Sequence, residues 1–505
     1  MKPNVSIRVA PEAPPPANAV HALPLAVDLD NTLLLTDTLF EGIAEHFRRR
    51  PLWTLKQLVQ LPFSIAKVKA RLQRDAVLDI ATLPANEEVL SYCLRAKASG
   101  RKVWLVSAAD QLTVDRVAAR FGVFDRAIGS DGDINNKGAS KAKLLEREAP
   151  EGFEYLGDSP ADYKVWARAK IASHVGGGTA RTSKIESLGA PVARAFERPR
   201  GGLNAWRKAM RLHQWAKNAL IFVPAMLAMK WTDATAILHC ALALPLLGVM
   251  ASGTYIANDL LDLKADRHHH TKRNRPFASG QLKLWQGFVA APAMILAGFA
   301  GGLMLSPAFA VTMLSYLTVT LTYSLKLKRM AMLDTMALAF LYTLRLVMGG
   351  VLAGVGLSQW LVIFSMFLFV SLSLAKRHVE VIRRAEAGER RLVHRGYRAE
   401  DAGVTLGLGL ATATASPLIL VLYIIEAAWP SQVYSFPPAL WVAPVVLSMW
   451  LMRLWLLANR GELDDDPVVF AIKDRQSLAM GAAIAMGFGA AAFAPANSLD
   501  MVRLS

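Results

Sequence analysis

Between residues 218 and 495 the chain returns again and again to apolar stretches, and that repetition constrains its fold more than any other feature. A helix crosses the hydrocarbon of a bilayer with about 20 apolar residues. Backbone polar groups inside hydrocarbon must be satisfied within the segment itself, so such stretches predict spanning helices. Nine are read, at 218–231, 235–257, 285–304, 307–324, 333–355, 358–375, 404–425, 437–457 and 478–495, the first being the shortest. Residues 1–200 have the composition of a soluble protein instead. A chain of 505 residues divided in this way is expected to hold at least two units.

The net charge of +17 would suit a nucleic-acid binder if it formed a patch. It does not. With the N-terminal domain on the cytoplasmic side, the connections after spans two, four, six and eight hold 21 Lys and Arg residues if Arg453 at the inner end of span eight is counted, and the opposite side has only Lys230, at the end of span one, among its connections and adjoining span ends. This is the distribution that orients membrane helices. It places the C-terminus outside, and no nucleic-acid partner is expected. Cys93 and Cys240 lack metal-ligand spacing and give no disulfide framework, as suits a reducing compartment. Residues 1–20 are Pro-rich without a continuous apolar core, and predict a disordered lead-in rather than a signal peptide.

Topology does not explain the acids mixed among those cations. The second span runs into Asn258-Asp259-Leu-Leu-Asp262-Leu-Lys-Ala-Asp266-Arg267. On a helix the three carboxylates fall within about 60° of one face, with Asn258 beside them. They repel one another and resist leaving water. A hard divalent cation removes that penalty, and Mg²⁺ commonly bridges carboxylates to a diphosphate. Lys272, Arg273 and Arg275 follow, and suit the remaining phosphate oxygens. A solvated acidic loop at the membrane boundary is the plainer reading. His268, His269 and His270 read either as a metal tract or as neighbours of the site.

The run NDLLDLKADR resembles the NDxxDxxxD motif of the UbiA superfamily of intramembrane prenyltransferases, whose architecture has nine spans. Most members ionise a prenyl diphosphate and carry a second aspartate-rich motif after the fourth span. Here that loop reads YSLKLKRMAMLDTMALAFLYTLR and offers only Asp334. The chain is more similar to one branch, the decaprenyl-phosphate phosphoribosyltransferases. RLHQWAKN, NDLLDLKADRHHHTKRNRPFASG, YSLKLKRMAMLD with the later YTLR, and DPVVFAIKDR carry that resemblance. It implies phosphoribosyl diphosphate and a polyprenyl (decaprenyl) phosphate as substrates, in a route towards arabinan of the cell wall. It also implies Mg²⁺ on Asp259, Asp262 and Asp266 with Asn258. Phosphate contacts are expected from Lys217, Asn218, Arg267, Lys272, Arg273, Arg275, Lys326, Lys328 and Arg345, with Asp334 nearby. Tyr323 and Tyr342 line the pocket or serve as core aromatics. Lys376, Arg377 and Glu380 suit simple charge pairs. The implied location is a bacterial plasma membrane, in contact with its lipid. A homo-oligomer is compatible with everything above. An aromatic prenyltransferase of quinone biosynthesis, acting on a polyprenyl diphosphate, is the alternative. A transporter would show paired inverted repeats, which nine spans do not supply.

In the soluble part, apolar runs alternate with helical ones and predict an α/β, doubly wound parallel sheet, with ligands at the carboxyl ends of its strands. PLAVDL leads into Asp28-Leu29-Asp30-Asn31-Thr32, KVWLVSA ends at Ser107, Lys141 opens a helix, and FEYLG ends in Asp158-Ser-Pro-Ala-Asp162. Together these resemble the haloacid dehalogenase phosphatases. The resemblance implies Asp28 as nucleophile and Asp30 as acid and base. Ser107 and Lys141 bind the phosphoryl oxygens, with Lys137 an alternative to Lys141. Mg²⁺ is expected on Asp28 and Asp158, with Asp30 beside them and Asp162 in support. The domain is read as 21–195, with a small helical cap at about 36–100 and a linker at 196–206, leaving 207–505 as the membrane domain. RRRPLWTLKQLVQLPFSIAKVKARLQR, within the cap, is basic and amphipathic, and suits either anionic lipid or the core sheet. A phosphatase tethered beside a phosphoribosyltransferase is expected to act on its product at high effective concentration, the alternative being an unrelated soluble metabolite.

Overall fold

The structure, a computed structural model, describes residues 23–60, 68, 71–72, 78–131, 136–199, 201–386, 388, 396–463 and 467–494. The lead-in at 1–20, parts of the cap, and the last eleven residues, including the C-terminus expected outside, fall beyond them. The chain forms two compact units. One comprises Met1–Ala209 with Ile256–Ala290, the other Met210–Tyr255 with Ala291–Ser505.

The first unit is built on six parallel strands: β1 Leu25–Val27, β2 Val103–Asp110, β3 Arg126–Ser130, β4 Glu154–Gly157, β5 Ile171–Val175 and β6 Val192–Phe196. Their order is β3-β2-β1-β4-β5-β6. Side chains alternate across a strand, and here both faces are buried. Leu25, Val27, Val103 and Leu105 join one apolar cluster with Val89, Cys93 and Val117. Ala26, Trp104 and Val106 join another with Ala142, Leu145, Val165 and Trp166. Near-continuous apolar strands are what a helix-covered parallel sheet requires. The chain winds outward from β1 through β2 and β3, then crosses to β4 and winds the other way. That reversal opens a crevice at the carboxyl ends of β1 and β4. Asp28 and Asp158 each directly follow one of these strands.

Within the stretch read as a cap, Thr38–Arg49 and Pro51–Gln60 are helices, the first capped by Asp37. The helix Glu87–Ala98 buries Val89, Cys93 and Ala96 in the sheet's own core. Pro51–Gln60 leaves Leu52, Leu55 and Val59 exposed. The segment Ile256–Ala290 is tied into this unit by Arg267, whose guanidinium makes two bonds of 3.0 and 2.5 Å to Glu41. Both side chains are about 95% buried. Phe288 packs on Phe40, and Trp206 meets Phe277 edge-on.

Among the described residues, eight helices are long and apolar enough to cross a membrane: Ala234–Leu261, Leu284–Leu305, Pro307–Leu325, Leu333–Ala353, Gln359–Glu386, Ala399–Ala428, Pro437–Asn459 and Arg475–Phe493. The ninth expected span, 218–231, is no single helix. It divides into a 3-10 helix ending at Phe222, a short α-helix Val223–Leu227 and a 3-10 turn Lys230–Thr232. Pro224 can only open a helix, and Met229 adopts a left-handed φ of 55° that closes one. The second unit has a close helix contact at Gly409, where a Cβ would overlap the Trp455 ring. Trp455 Nε1 donates to Ser371 Oγ at 2.9 Å, and that hydroxyl donates to the Gly409 carbonyl at 3.1 Å.

Candidate active sites

At the carboxyl ends of β1 and β4, Asp28, Asp158 and Asp162 bring one carboxylate oxygen each within 4.8 Å of one another, and all three are buried. Three converging hard oxygens in a buried crevice fit a divalent cation such as Mg²⁺. Lys141, from the first turn of the helix Ala139–Glu148, donates to Asp28 Oδ1 at 2.7 Å and to the Tyr155 hydroxyl at 2.9 Å. Tyr155 in turn donates to Asp162 Oδ1 at 2.8 Å. Asp162 Oδ2 accepts from the Ser159 backbone and hydroxyl, both at 2.9 Å, which fixes the turn after β4. Ser107 is buried within β2, which runs three residues further than its apolar run suggests and shifts register between Val106 and Asp110. Asp30 accepts from the Thr38 backbone N–H at 2.8 Å and from its hydroxyl at 3.3 Å, so its carboxylate is not in the cluster of three. Lys137 is exposed.

Burial raises the Asp28 carboxyl to about 7; Lys141 opposes that rise, and Asp162 and Asp158 add to it. Asp158 is raised as well, chiefly by burial and against the pull of Lys283. For Lys141, burial works downward, but Asp28 and Asp162 outweigh it and hold the ammonium above its usual range. A cation placed among the acids would relieve the desolvation that raises both carboxyls.

In the segment Ile256–Ala290, Asp259 and Asp266 are buried and share one partner. Arg275 Nη1 lies 3.0 Å from Asp259 Oδ1 and 2.7 Å from Asp266 Oδ2. The helix kinks at Asp262, but the bonds from Asp262 N to the Asn258 carbonyl and from Asp266 N to the Asp262 carbonyl keep all three acids on successive turns. Among the described residues these acids do not converge within 4.8 Å as Asp28, Asp158 and Asp162 do. Their donor chemistry suits Mg²⁺. Burial raises Asp266 to about 6, Arg275 opposing and Asp259 adding. Arg267 is held by Glu41 and by the Ala278 carbonyl at 3.1 Å, a structural commitment that the expected phosphate contact did not foresee. Lys272 is half-buried, Arg273 exposed.

In the second unit, Arg345 is buried and fully engaged. It donates to Asn218 Oδ1 (3.1 Å), the Leu341 carbonyl (2.7 Å) and the Tyr316 hydroxyl (3.0 Å), and it lies over the Tyr316 and Tyr342 rings. Lys217 lies 5.5 Å from the Tyr342 ring centre. Asp334 is buried against Arg377 Nε (2.6 Å) and the Tyr397 hydroxyl (2.7 Å). Arg377 also reaches Glu380 and Tyr323. That network accounts for Asp334 as the counter-charge of a buried guanidinium. Lys326 ends its helix exposed, and Lys328 is half-buried.

Residues 219–495 match the model of the UbiA prenyltransferase family. The chain belongs to that family. Ahead of this UbiA region, residues 25–166 match the haloacid dehalogenase-like hydrolases. The y4nM protein of Sinorhizobium fredii is 41% identical over 466 residues, 92% of this chain and 90% of its own length. The decaprenyl-phosphate phosphoribosyltransferase of Mycobacterium tuberculosis is 31% identical over 178 residues, 34% of this chain and 59% of that protein. A UbiA homolog from Archaeoglobus fulgidus, solved bound to DMAPP and Mg²⁺, superposes with a TM-score of 0.44 at 13% identity, covering 59% of this chain and 99% of that one. This UbiA protein is therefore a multi-pass membrane protein with a haloacid dehalogenase-like domain at its N-terminal side.

Three residues of the hydrolytic centre have no sequence signal. Tyr155 reads as one more strand residue. Arg198 and Lys283 reach Asp158 from 40 and 125 residues away, at 3.9 and 3.3 Å.

Proposed function

We propose that this chain is a bifunctional enzyme of a bacterial plasma membrane. The UbiA region transfers 5-phosphoribose from phosphoribosyl diphosphate to a polyprenyl phosphate. The soluble domain then removes the 5′-phosphate and leaves polyprenylphosphoryl ribose. Lys283 carries the coupling: it follows the motif of Asp259, Asp262 and Asp266, yet donates to Asp158 in the hydrolytic centre. Motif and centre share one compact unit. Similarity to decaprenyl-phosphate phosphoribosyltransferase supports the substrates of the first step. The basic connections support a cytoplasmic placement of both centres; with 218–231 counted as a crossing, nine spans put the C-terminus outside.

In the first step an oxygen of the lipid phosphate attacks C1 of the ribose, the C1–O bond breaks, and diphosphate leaves. Arg275, released from Asp259 and Asp266, holds its oxygens. In the second step Asp28 attacks the 5′-phosphorus, and Asp30 protonates the departing ribose oxygen. Asp30 then takes a proton from the water that hydrolyses the aspartyl-phosphate, releasing inorganic phosphate. Lys141 and Ser107 hold the transferring oxygens. Asp28, Asp158 and Asp162 in one centre, and the Asp259–Asp266 motif in the other, would hold Mg²⁺, which would supply charge neutralisation at the phosphoryl and diphosphate groups.

The test is mass spectrometry of lipid products from membranes given labelled phosphoribosyl diphosphate, Mg²⁺ and polyprenyl phosphate. Wild type should give polyprenylphosphoryl ribose. Asp28→Asn should accumulate the 5-phosphorylated lipid, with release of inorganic phosphate reduced about 1000-fold or more. Label entering only from a prenyl diphosphate would show an aromatic prenyltransferase instead, and absence of the phosphorylated lipid would sink the coupling.

A further inference from the structure

Hydrolysis of a phosphomonoester at Asp28 calls for Lys141, Ser107 and a metal. The same centre carries two further cations. Lys283 Nζ lies 3.3 Å from Asp158 Oδ2, and Arg198 Nη1 lies 3.9 Å from the same oxygen. One ammonium in contact already offsets Asp158. Arg198 is held from its other side: Nη2 donates to Asn31 Oδ1 at 2.9 Å and approaches the Leu35 carbonyl at 3.5 Å. Asn31 adopts a left-handed φ of 60° there. This grip leaves Nη1 buried and without a hydrogen-bond acceptor. A buried guanidinium N–H with no acceptor is costly, and 3.9 Å is too long for a hydrogen bond. An anionic oxygen brought by a ligand would satisfy it. Lys283, about one-third exposed, can turn to the same oxygen.

We propose that Arg198 and Lys283 form a second anion subsite of the hydrolytic centre, which selects substrates carrying a phosphodiester besides the phosphate to be removed. Lys283 directly precedes the helix Leu284–Leu305, which is apolar enough to cross a membrane. The second anion therefore lies at a lipid boundary, which favours a lipid-linked sugar over a soluble metabolite. This rests on the phosphatase reading given above and names the group by which that phosphatase recognises its lipid. The pair are specificity residues, since the bond that breaks is the ester P–O bond of the phosphate that Asp28 attacks.

The test uses the full chain in nanodiscs and two substrates: p-nitrophenyl phosphate, with a single anionic group, and 1-(citronellyl phosphoryl)-ribose 5-phosphate, with two. Wild type should prefer the second. Arg198→Met and Lys283→Met should each lower that preference, taken as the ratio of kcat/KM values, about 10- to 100-fold, as expected for a lost hydrogen bond to a charged group. The loss should appear in KM for the two-anion substrate, and Lys283→Arg should restore most of it. Equal proportional losses on both substrates, or a preference kept within twofold, would overturn the subsite. Absence of turnover of either substrate by wild type would overturn the phosphatase reading itself, a result distinct from either of those.

Discussion

Asp28 is the residue in which burial and chemistry meet most directly. Without a metal its carboxyl is raised to about 7, so below that pH the metal-free centre holds a proton that Mg²⁺ must displace. Affinity should rise with pH up to about 7 and level off above it. Calorimetric titration of metal-stripped protein should show Mg²⁺ binding about 10-fold weaker at pH 6 than at pH 8, with proton release only in the acidic range. Equal affinity at both would mean that Asp28 is not a ligand. At this scale the sequence was informative where chemistry is local. Asp28 and Asp158 follow strands, Ser107 closes the apolar run of another and Lys141 lies in the first turn of a helix, all of which can be read from apolar runs. Tyr155, Arg198 and Lys283 enter the centre only through tertiary packing, which no spacing records. The same limit hid the ion pair of Arg267 with Glu41, some 226 residues apart, and so left Arg267 among the expected phosphate ligands.

At the scale of elements, that ion pair ties the helix Thr38–Arg49 to the helix Leu263–His268. Removing one charge strands the other in the interior. Glu41→Gln should cost the first unit about 3–5 kcal/mol in unfolding free energy, and Glu41→Met with Arg267→Leu should recover most of it. Denaturant titration of the full chain checks both. In the second unit, Gly409→Val forces a branched side chain against Trp455 and breaks into the bonds through Ser371. It should destabilise that unit by about 1–3 kcal/mol, read as a lower Tm in detergent. The spans themselves were legible because apolar length is a one-dimensional property. The irregular course of 218–231 was not legible for the same reason: composition registers its hydrophobicity but not the joint break made by Pro224 and Met229. Strands β1, β2 and β4 were legible because they are buried and largely apolar, whereas β3, β5 and β6 carry polar residues such as Arg126, His174 and Arg194 and were not singled out.

At the scale of the whole molecule, the division at about residue 207 follows composition, whereas the compact units do not respect it. Ile256–Ala290, which takes in the end of one span and the start of the next, belongs with the N-terminal domain. Residues 1–209 expressed alone should therefore keep the sheet but leave Glu41 buried without Arg267. Glu41→Met should then raise the Tm of the isolated piece while lowering that of the full chain. Differential scanning calorimetry of the four proteins checks this reversal, and a Tm change of the same sign in both backgrounds would mean that the segment is not part of the domain's core.

That discontinuity fixes an order of events during synthesis. The ribosome delivers every strand of the parallel sheet before the chain that carries Arg267, Lys283 and Phe288 has been made. The soluble half must wait, part-finished, while the translocon threads the helix Ala234–Leu261, and only the chain emerging behind that helix can complete it. A molecule whose membrane insertion stalls would thus lack both Lys283 beside Asp158 and the buried partner of Glu41.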